Sequence, residues 1–397
     1  MKAAVIAGRV LVALLSAAVL VAAGYGWSTL RRVQESVNTT DVLTVLSDVP
    51  NAPPANDGAT DILLVGSDSR TDAQGVPLPD HVLRELRTEA TDTLNTDTII
   101  VMRVPHDGSK AHAVSIPRDT YVPIPDIGQE KINSAYGLTK FFTMERLAAQ
   151  GLSDLTERSK AGDQAGRRAL VQVVQELTGV RVDHYAEINL YGFYLLTEVI
   201  GGVEVCLRQA TSDPDSGADF RAGVQTISGG DALAFVRQRK GIPNGDLGRI
   251  TRQQVFMSAA MSKLLSAGTL ADPARLSGLL DAVSKSIVVD EGLDLATFAG
   301  QARGLAGGNV EFATIPVIDV GARNERGQSV VTVDPAQVKV FVSAILGEKT
   351  PPPAPTTTAS TPSSPTEASP TRRFAARPLN LDGPRRRATQ PGPPCVD

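Results

Sequence analysis

The chain is nearly without cysteine, holding only Cys206 and Cys395 in 397 residues, and it has neither a CxxC pair nor a Cys/His spacing of the kind that grips zinc. A structural zinc site is not expected. Histidine is almost as scarce. None of the four, His81, His106, His112 and His184, forms an HExxH pair or sits inside a charged motif, which argues against a zinc hydrolase. No histidine base accompanies Ser67 or Ser115, which disfavours a serine hydrolase. There is no P-loop and no dinucleotide fingerprint, so no nucleotide cofactor or donor is expected. Nor is there an internal repeat or a helix-turn-helix pattern, and nucleic acid is not expected as a partner. The two cysteines leave two readings open: a disulfide clipping the tail onto the body, or a buried apolar Cys206 with an unrelated tail thiol.

What is present divides the chain unevenly. Residues 10–30 form an uncharged run rich in Leu, Val and Ala between Arg9 and Arg31, long enough as a helix to cross a hydrocarbon core. With Lys2 and Arg9 before it, this run predicts a single-pass signal anchor in the cell membrane. Residues 1–9 would then be cytoplasmic and the body extracytoplasmic; a signal peptide cut near Ala22-Ala23-Gly24 is the alternative. Residues 31–59, with Pro50, Pro53 and Pro54, read as a linker. Residues 348–397, rich in Pro, Ser and Thr and ending in Arg385-Arg386-Arg387, read as a disordered basic tail, serving as a spacer or tether to anionic wall polymer or simply unstructured.

Between residues 60 and 347 strand-like and helix-like periods alternate, predicting an α/β fold: a mixed central sheet with helices packed on both faces. Strands are expected at 62–65, 98–104, 112–116, 185–189, 203–207 and 310–315. Helices are expected at 164–177, 193–200, 231–236, 246–265, 273–286, 295–305 and 335–346. The stretch from Pro105 to Ser109 has the residues of a hairpin turn, which makes the second and third strands antiparallel. Asp68 follows the first strand, Asp97 precedes the second and Arg118 follows the third. If the second strand also runs against the first, all three residues reach one edge of the sheet. Two carboxylates beside an arginine there would suit a magnesium ion together with phosphate oxygens.

A second cluster runs from Arg237 to Gln253 and contains Arg237, Arg239, Arg249 and Arg252 with one acid, Asp246. Guanidinium groups match phosphate oxygens two at a time, so such a concentration in a chain of net charge -4 predicts a focused anion site. Arg237 and Arg239 can face one ligand only if the backbone between them is extended, so the preceding helix should stop near Val236. Asp246, Arg249 and Gln253 fall on one stripe of the next helix, whose N-terminus adds free N–H groups.

Taken in order, Asp68, Asp97, the run Ser115-Ile116-Pro117-Arg118-Asp119-Thr120, Lys131-Ile132-Asn133 and the arginine cluster give a chain that closely resembles the LytR-CpsA-Psr family of bacterial cell-wall ligases. The resemblance covers about residues 61–265. It implies a magnesium-dependent phosphotransferase that moves a glycopolymer from a polyprenyl-pyrophosphate carrier to peptidoglycan. By position it implies Asp68 and Asp97 for the metal, and Arg118, Lys131, Arg237, Arg239, Arg249 and Gln253 for the pyrophosphate. Arg118, Asp246 and Arg249 would be catalytic. The family often carries Arg-Ser before the second acid where this chain has Asn95-Thr96, so one accessory positive charge is missing. An apolar tunnel for the lipid is expected near Leu190, Phe193, Leu196 and Val199, or near Val255, Phe256 and Met261. A hydrolase using the same site, and a non-enzymatic envelope regulator or adaptor, are the alternatives.

Overall fold

The computed structural model describes residues 37–43, 57–72, 75–89, 94–264, 266, 273–294, 310–346 and 393–397. The expected anchor at 10–30, the helix at 295–305 and most of the tail lie outside the described residues. No helix among the described residues is long and apolar enough to cross a membrane.

Seven strands make the central sheet: β1 (Asn38–Thr40), β2 (Ala59–Ser67), β3 (Thr96–Pro105), β4 (Ala111–Ser115), β7 (His184–Ile188), β12 (Ile287–Asp290) and β13 (Val310–Thr314), in the order β1-β12-β7-β2-β3-β4-β13. The hairpin turn does what its residues predict. β3 runs antiparallel to both β2 and β4, while β7 is parallel to β2 and β13 to β4. The sheet is therefore mixed. β1 is a correction to the 31–59 linker, since Asn38 pairs with Val288 inside the sheet.

Alternation along β2 and β3 places apolar residues on both faces, as a sheet covered on both sides requires. On one face Leu63, Val65, Ile99 and Val101 pack with Leu170, Val174, Val338 and Val342. These helical residues belong to α3 (Leu155–Thr178) and α8 (Pro335–Leu346). On the other face Ile62, Ile100 and Met102 meet Met257 and Met261 of α6 (Gly245–Leu264). Each such fully buried aliphatic side chain contributes roughly 1.5–3 kcal/mol.

Helix α3 starts nine residues before its expected position at 164. Asp154 caps it, accepting hydrogen bonds from the Thr156 and Glu157 amides. Gly166 lets it approach α2 (Ala135–Ala149), a helix that the pattern reading missed; a Cβ at Gly166 would lie 2.2 Å from the Tyr136 ring.

A second layer lies beyond α6. There β8 (Val203–Leu207) pairs with β11 (Gly223–Ile227) on one side and with β16 (Cys395–Val396) on the other. Cys206 and Cys395 are joined by a disulfide across 189 residues, with Cα atoms 4.3 Å apart. Of the two readings of the cysteines, the structure takes the bond, and the end of the tail is ordered rather than disordered. The connection between β2 and β3 contains the short helix α1 (Asp80–Glu85).

Candidate active site

β2 and β3 pair without interruption from Ala59 opposite Pro105 to Gly66 opposite Thr98, and then Ser67 pairs with Thr96. Asp97 is the extra residue of a bulge. A bulge re-aims a side chain at a sheet edge, and here Asp97 meets Arg118 from the end of β4, with Nη1 to Oδ1 at 2.7 Å. Asp68 is fixed on the neighbouring strand end. Its Oδ1 accepts from the Asn95 amide at 2.6 Å, and its other oxygen lies 3.1 Å from Arg70.

The arginine run follows from where α5 (Gly229–Arg237) stops. Gln238 leaves the helix at φ −57°, ψ 132°, so Arg237 and Arg239 are presented from a helix end and an extended segment. Asn244 and Gly245, both at positive φ (61° and 50°), then turn the chain into α6. The first turn of α6 carries Asp246 and Arg249, and Asp246 ties the cluster together. Its Oδ1 lies 2.9 Å from Arg249, 3.4 Å from Arg239 and 3.7 Å from Arg118.

Asp97, Arg118, Arg237, Arg239, Asp246 and Arg249 thus line one open cavity of about 510 Å³, a size suited to a ligand rather than to a single ion. Three expected residues stand outside its lining. Lys131 pairs with Asp119 at 2.9 Å, and Asp119 in turn lies 3.7 Å from Arg118. Gln253 donates to the Val236 carbonyl at 3.1 Å and so braces the end of α5. Asp68 acts on the cluster at longer range through the charge of Arg237.

Other lining residues escaped the sequence reading. Asp213, Asp215 and Ser216 come from the turn Asp213-Pro214-Asp215-Ser216-Gly217, whose composition signals a turn but not what it faces. Lys240, which follows Arg239 directly, was the visible one.

The electrostatics are those of a cation cluster awaiting an anion. Burial alone would raise the Asp97 carboxyl, but Arg118, Arg249 and Arg237 outweigh it and hold the group below the usual carboxylate value. Burial, followed by repulsion from Arg118, pulls the Arg249 guanidinium down to about 10 against the opposing pull of Asp246 and Asp97. Arg118 Nε, Arg249 Nε and Nη2 and both Asp246 carboxylate oxygens are buried without a hydrogen-bond partner, because their ion-pair contacts miss hydrogen-bond geometry. Such groups are costly unless something fills the site.

No group of three or more His, Cys, Asp or Glu side chains gathers as a metal cage among the described residues. Magnesium needs no such cage, since one or two carboxylates with water and phosphate oxygens suffice. Asp68 and Asp97 fit that pattern. The adjacent Ser67 hydroxyl is buried and unpartnered, a further unsatisfied hard oxygen at this edge.

Of the residues expected to line a lipid tunnel, Leu190, Phe193, Leu196, Val199 and Met261 are half-buried. Val255 and Phe256 are buried, and the Phe193 ring lies 5.2 Å from that of Phe256. Met261 covers the sheet, and Leu190 packs near α1.

A family model described as the LytR_cpsA_psr family matches residues 26–344. The cell wall biosynthesis protein LcpA of Corynebacterium glutamicum is 53% identical over 299 residues, covering 75% of this chain and 58% of that protein. The polyisoprenyl-teichoic acid–peptidoglycan teichoic acid transferase TagU of Oceanobacillus iheyensis is 32% identical over 214 residues, 53% of this chain and 59% of that one. The matched region thus spans under two thirds of the length of these curated relatives. Among solved structures, protein gbs0355 from Streptococcus agalactiae superposes with a TM-score of 0.53 at 19% identity, covering 74% of this chain and 89% of that one. At that identity the likeness concerns the fold.

Proposed function

The chain belongs to the LytR-CpsA-Psr family, and from that premise we propose that it is a membrane-anchored, magnesium-dependent phosphotransferase. In this reading it takes a cell-wall glycopolymer from a polyprenyl-pyrophosphate carrier and joins it to a peptidoglycan hydroxyl as a phosphodiester. The observation that carries the reading is the cavity in which Arg118, Arg237, Arg239 and Arg249 converge, Arg118 and Arg249 with unsatisfied N–H groups. The printed names of the relatives, cell wall biosynthesis for LcpA and teichoic acid transfer to peptidoglycan for TagU, support the same class of reaction.

Arg118 and Arg249 would hold the diphosphate most closely, with Arg237 and Arg239 on its exposed side. Asp246 keeps three of these guanidinium groups in mutual register. The acceptor oxygen bonds to the glycan-side phosphorus as the bridging P–O bond to the lipid phosphate breaks. The arginines carry the charge that builds on the leaving phosphate and on the equatorial oxygens. Asp68 and Asp97 would hold magnesium, which would neutralise further phosphate charge. No covalent nucleophile on the protein is needed.

Incubating the purified protein with a prenyl-pyrophosphate-linked glycan tests the reading directly. Glycan joined to wall fragments, dependent on both fragments and magnesium, is the expected result. Release of free glycan phosphate at a rate that ignores the fragments would identify a hydrolase instead.

The pH profile gives a second test. Asp97 is held low, so it stays ionised throughout the neutral range and is lost as a carboxylate only as the pH falls through its depressed value. On the alkaline side Arg249, lowered to about 10, loses its charge well before an ordinary arginine would. Affinity for geranyl pyrophosphate should therefore decline from about pH 10. Affinity still unchanged at the point where tyrosine and lysine have titrated would contradict this.

A further inference from the structure

Behind the lining arginines lies a set of polar contacts that touches no ligand. Arg252, three residues beyond Arg249 on α6, is fully buried, with its guanidinium 4.9 Å from the centre of the Phe235 ring. The acid that acts on it is Asp397, whose negative charge opposes the lowering of the guanidinium by burial. Arg252 Nε donates to the main-chain oxygen of Asp397 at 2.8 Å, and its Nη1 donates to Gln238 Oε1 at 2.6 Å. Asp397 is held in turn by β16 pairing with β8, by the Cys206–Cys395 bond and by Arg208 at 2.9 Å.

Gln238 is also fully buried. With its oxygen taken by Arg252, its amide nitrogen faces the other way and donates to Thr211 Oγ1 at 2.6 Å and to the Lys240 carbonyl at 2.9 Å. From the same side Asp213 Oδ2 accepts from the amides of both Arg239 and Lys240 at 3.1 Å. The backbone that carries Arg237 and Arg239 is thus fastened on its carbonyl and its amide groups. That extended geometry is what lets two arginines separated by one residue serve a single cavity.

We propose that Gln238, held by Arg252 and the docked Cys395–Asp397 segment, is a positioning residue that sets the Arg237–Lys240 backbone for pyrophosphate binding. It acts through its neighbours and does not touch the ligand. The assignment rests on the cavity taking a pyrophosphate, as proposed above.

Gln238→Glu separates positioning from packing. The glutamate can still accept from Arg252, and as an opposite charge it pairs with a buried cation, so the fold is retained. It cannot donate to Lys240 O or Thr211, and its charge repels the carbonyl. Isothermal titration with geranyl pyrophosphate should show affinity about tenfold weaker than wild type, with an unchanged or higher melting temperature. Thr211→Val, which removes the far anchor of the Gln238 amide together with the Thr211 hydrogen bond to the Gly241 carbonyl, should weaken affinity in the same direction and serves if the first variant does not fold. Wild-type affinity in a folded variant of either kind would overturn the proposal. Failure of the wild-type protein to bind geranyl pyrophosphate would overturn it together with the pyrophosphate reading, and so is distinguishable from failure of the positioning role alone.

Discussion

Arg249→Met is expected to lower glycan transfer by about 10²–10³-fold, the usual effect of removing one charge-stabilising donor, while the protein melts no lower than wild type. The two halves of this expectation have one cause. Arg249 is 3% exposed, is pulled down by burial and by its neighbour Arg118, and has Nε and Nη2 without hydrogen bonds. In the free protein it is a buried cation next to another cation, which opposes folding. Methionine fills similar space without that desolvation. Asp246 is not abandoned, because Arg118 and Arg239 remain beside it. Stability held back at a site and released by a disabling substitution is a recognised trade-off. Transfer rate and thermal melting measured on the same preparation check it. A variant that melts well below wild type would show that Arg249 is a structural ion pair with Asp246 and not a group kept for a ligand.

The opposite pattern is expected at the other end of β2. Asp61 and Arg103 face each other across β2 and β3, are 2% and 5% exposed, and pair at 2.7 Å, with Asp57 as a further partner of the arginine. Asp61→Ala removes a buried carboxylate that pairs with a buried guanidinium, and should cost about 3 kcal/mol or more in urea unfolding. Asp61 lies about 20 Å of extended strand from the edge that carries Asp68. Geranyl pyrophosphate affinity in the folded variant should therefore match wild type. The double variant Asp61→Ala/Arg103→Met should recover much of the loss, because it removes the buried guanidinium as well. A loss of affinity in the single variant would mean that the two ends of the sheet are coupled in a way its rigid pairing does not suggest.

The sheet and its helices were largely legible where a segment's own pattern decides its structure. The strand at 203–207 and the helices at 273–286 and 335–346 fall where the periodicity puts them. What escaped depends on distant partners. β1 and β12 have three and four residues; β1 is a strand because the chain brings Asn38 beside Val288, and β12 because it lies between β1 and β7. The first turns of α3 were hidden by Gly162, a poor helix former needed for contact with α2.

At the site, the approach of Asp97 to Arg118 followed from hairpin logic and strand ends alone. The bulge that aims Asp97 did not, because an extra residue in a ladder leaves no trace in composition. Arg252 reads in sequence as a fourth arginine of the anion cluster and is instead fully buried, outside the cavity lining. The sequence pattern of Asp213 describes a turn and is silent about its hold on the Arg239 and Lys240 amides.

The extra residue at Asp97 also sets where the chain tolerates a change in length. Between Gly66 and Thr98 the ladder is in step, and one residue later it is not. Deleting a single amino acid from 95–98 would restore an even ladder and swing the acid away from Arg118, even if every strand survived. Residues farther out in the connection, between Asp72 and Glu89, carry no such constraint from the ladder. A spectroscopic label for following the protein belongs at the exposed Val76, and an alignment gap placed two positions too late would erase the acid from view.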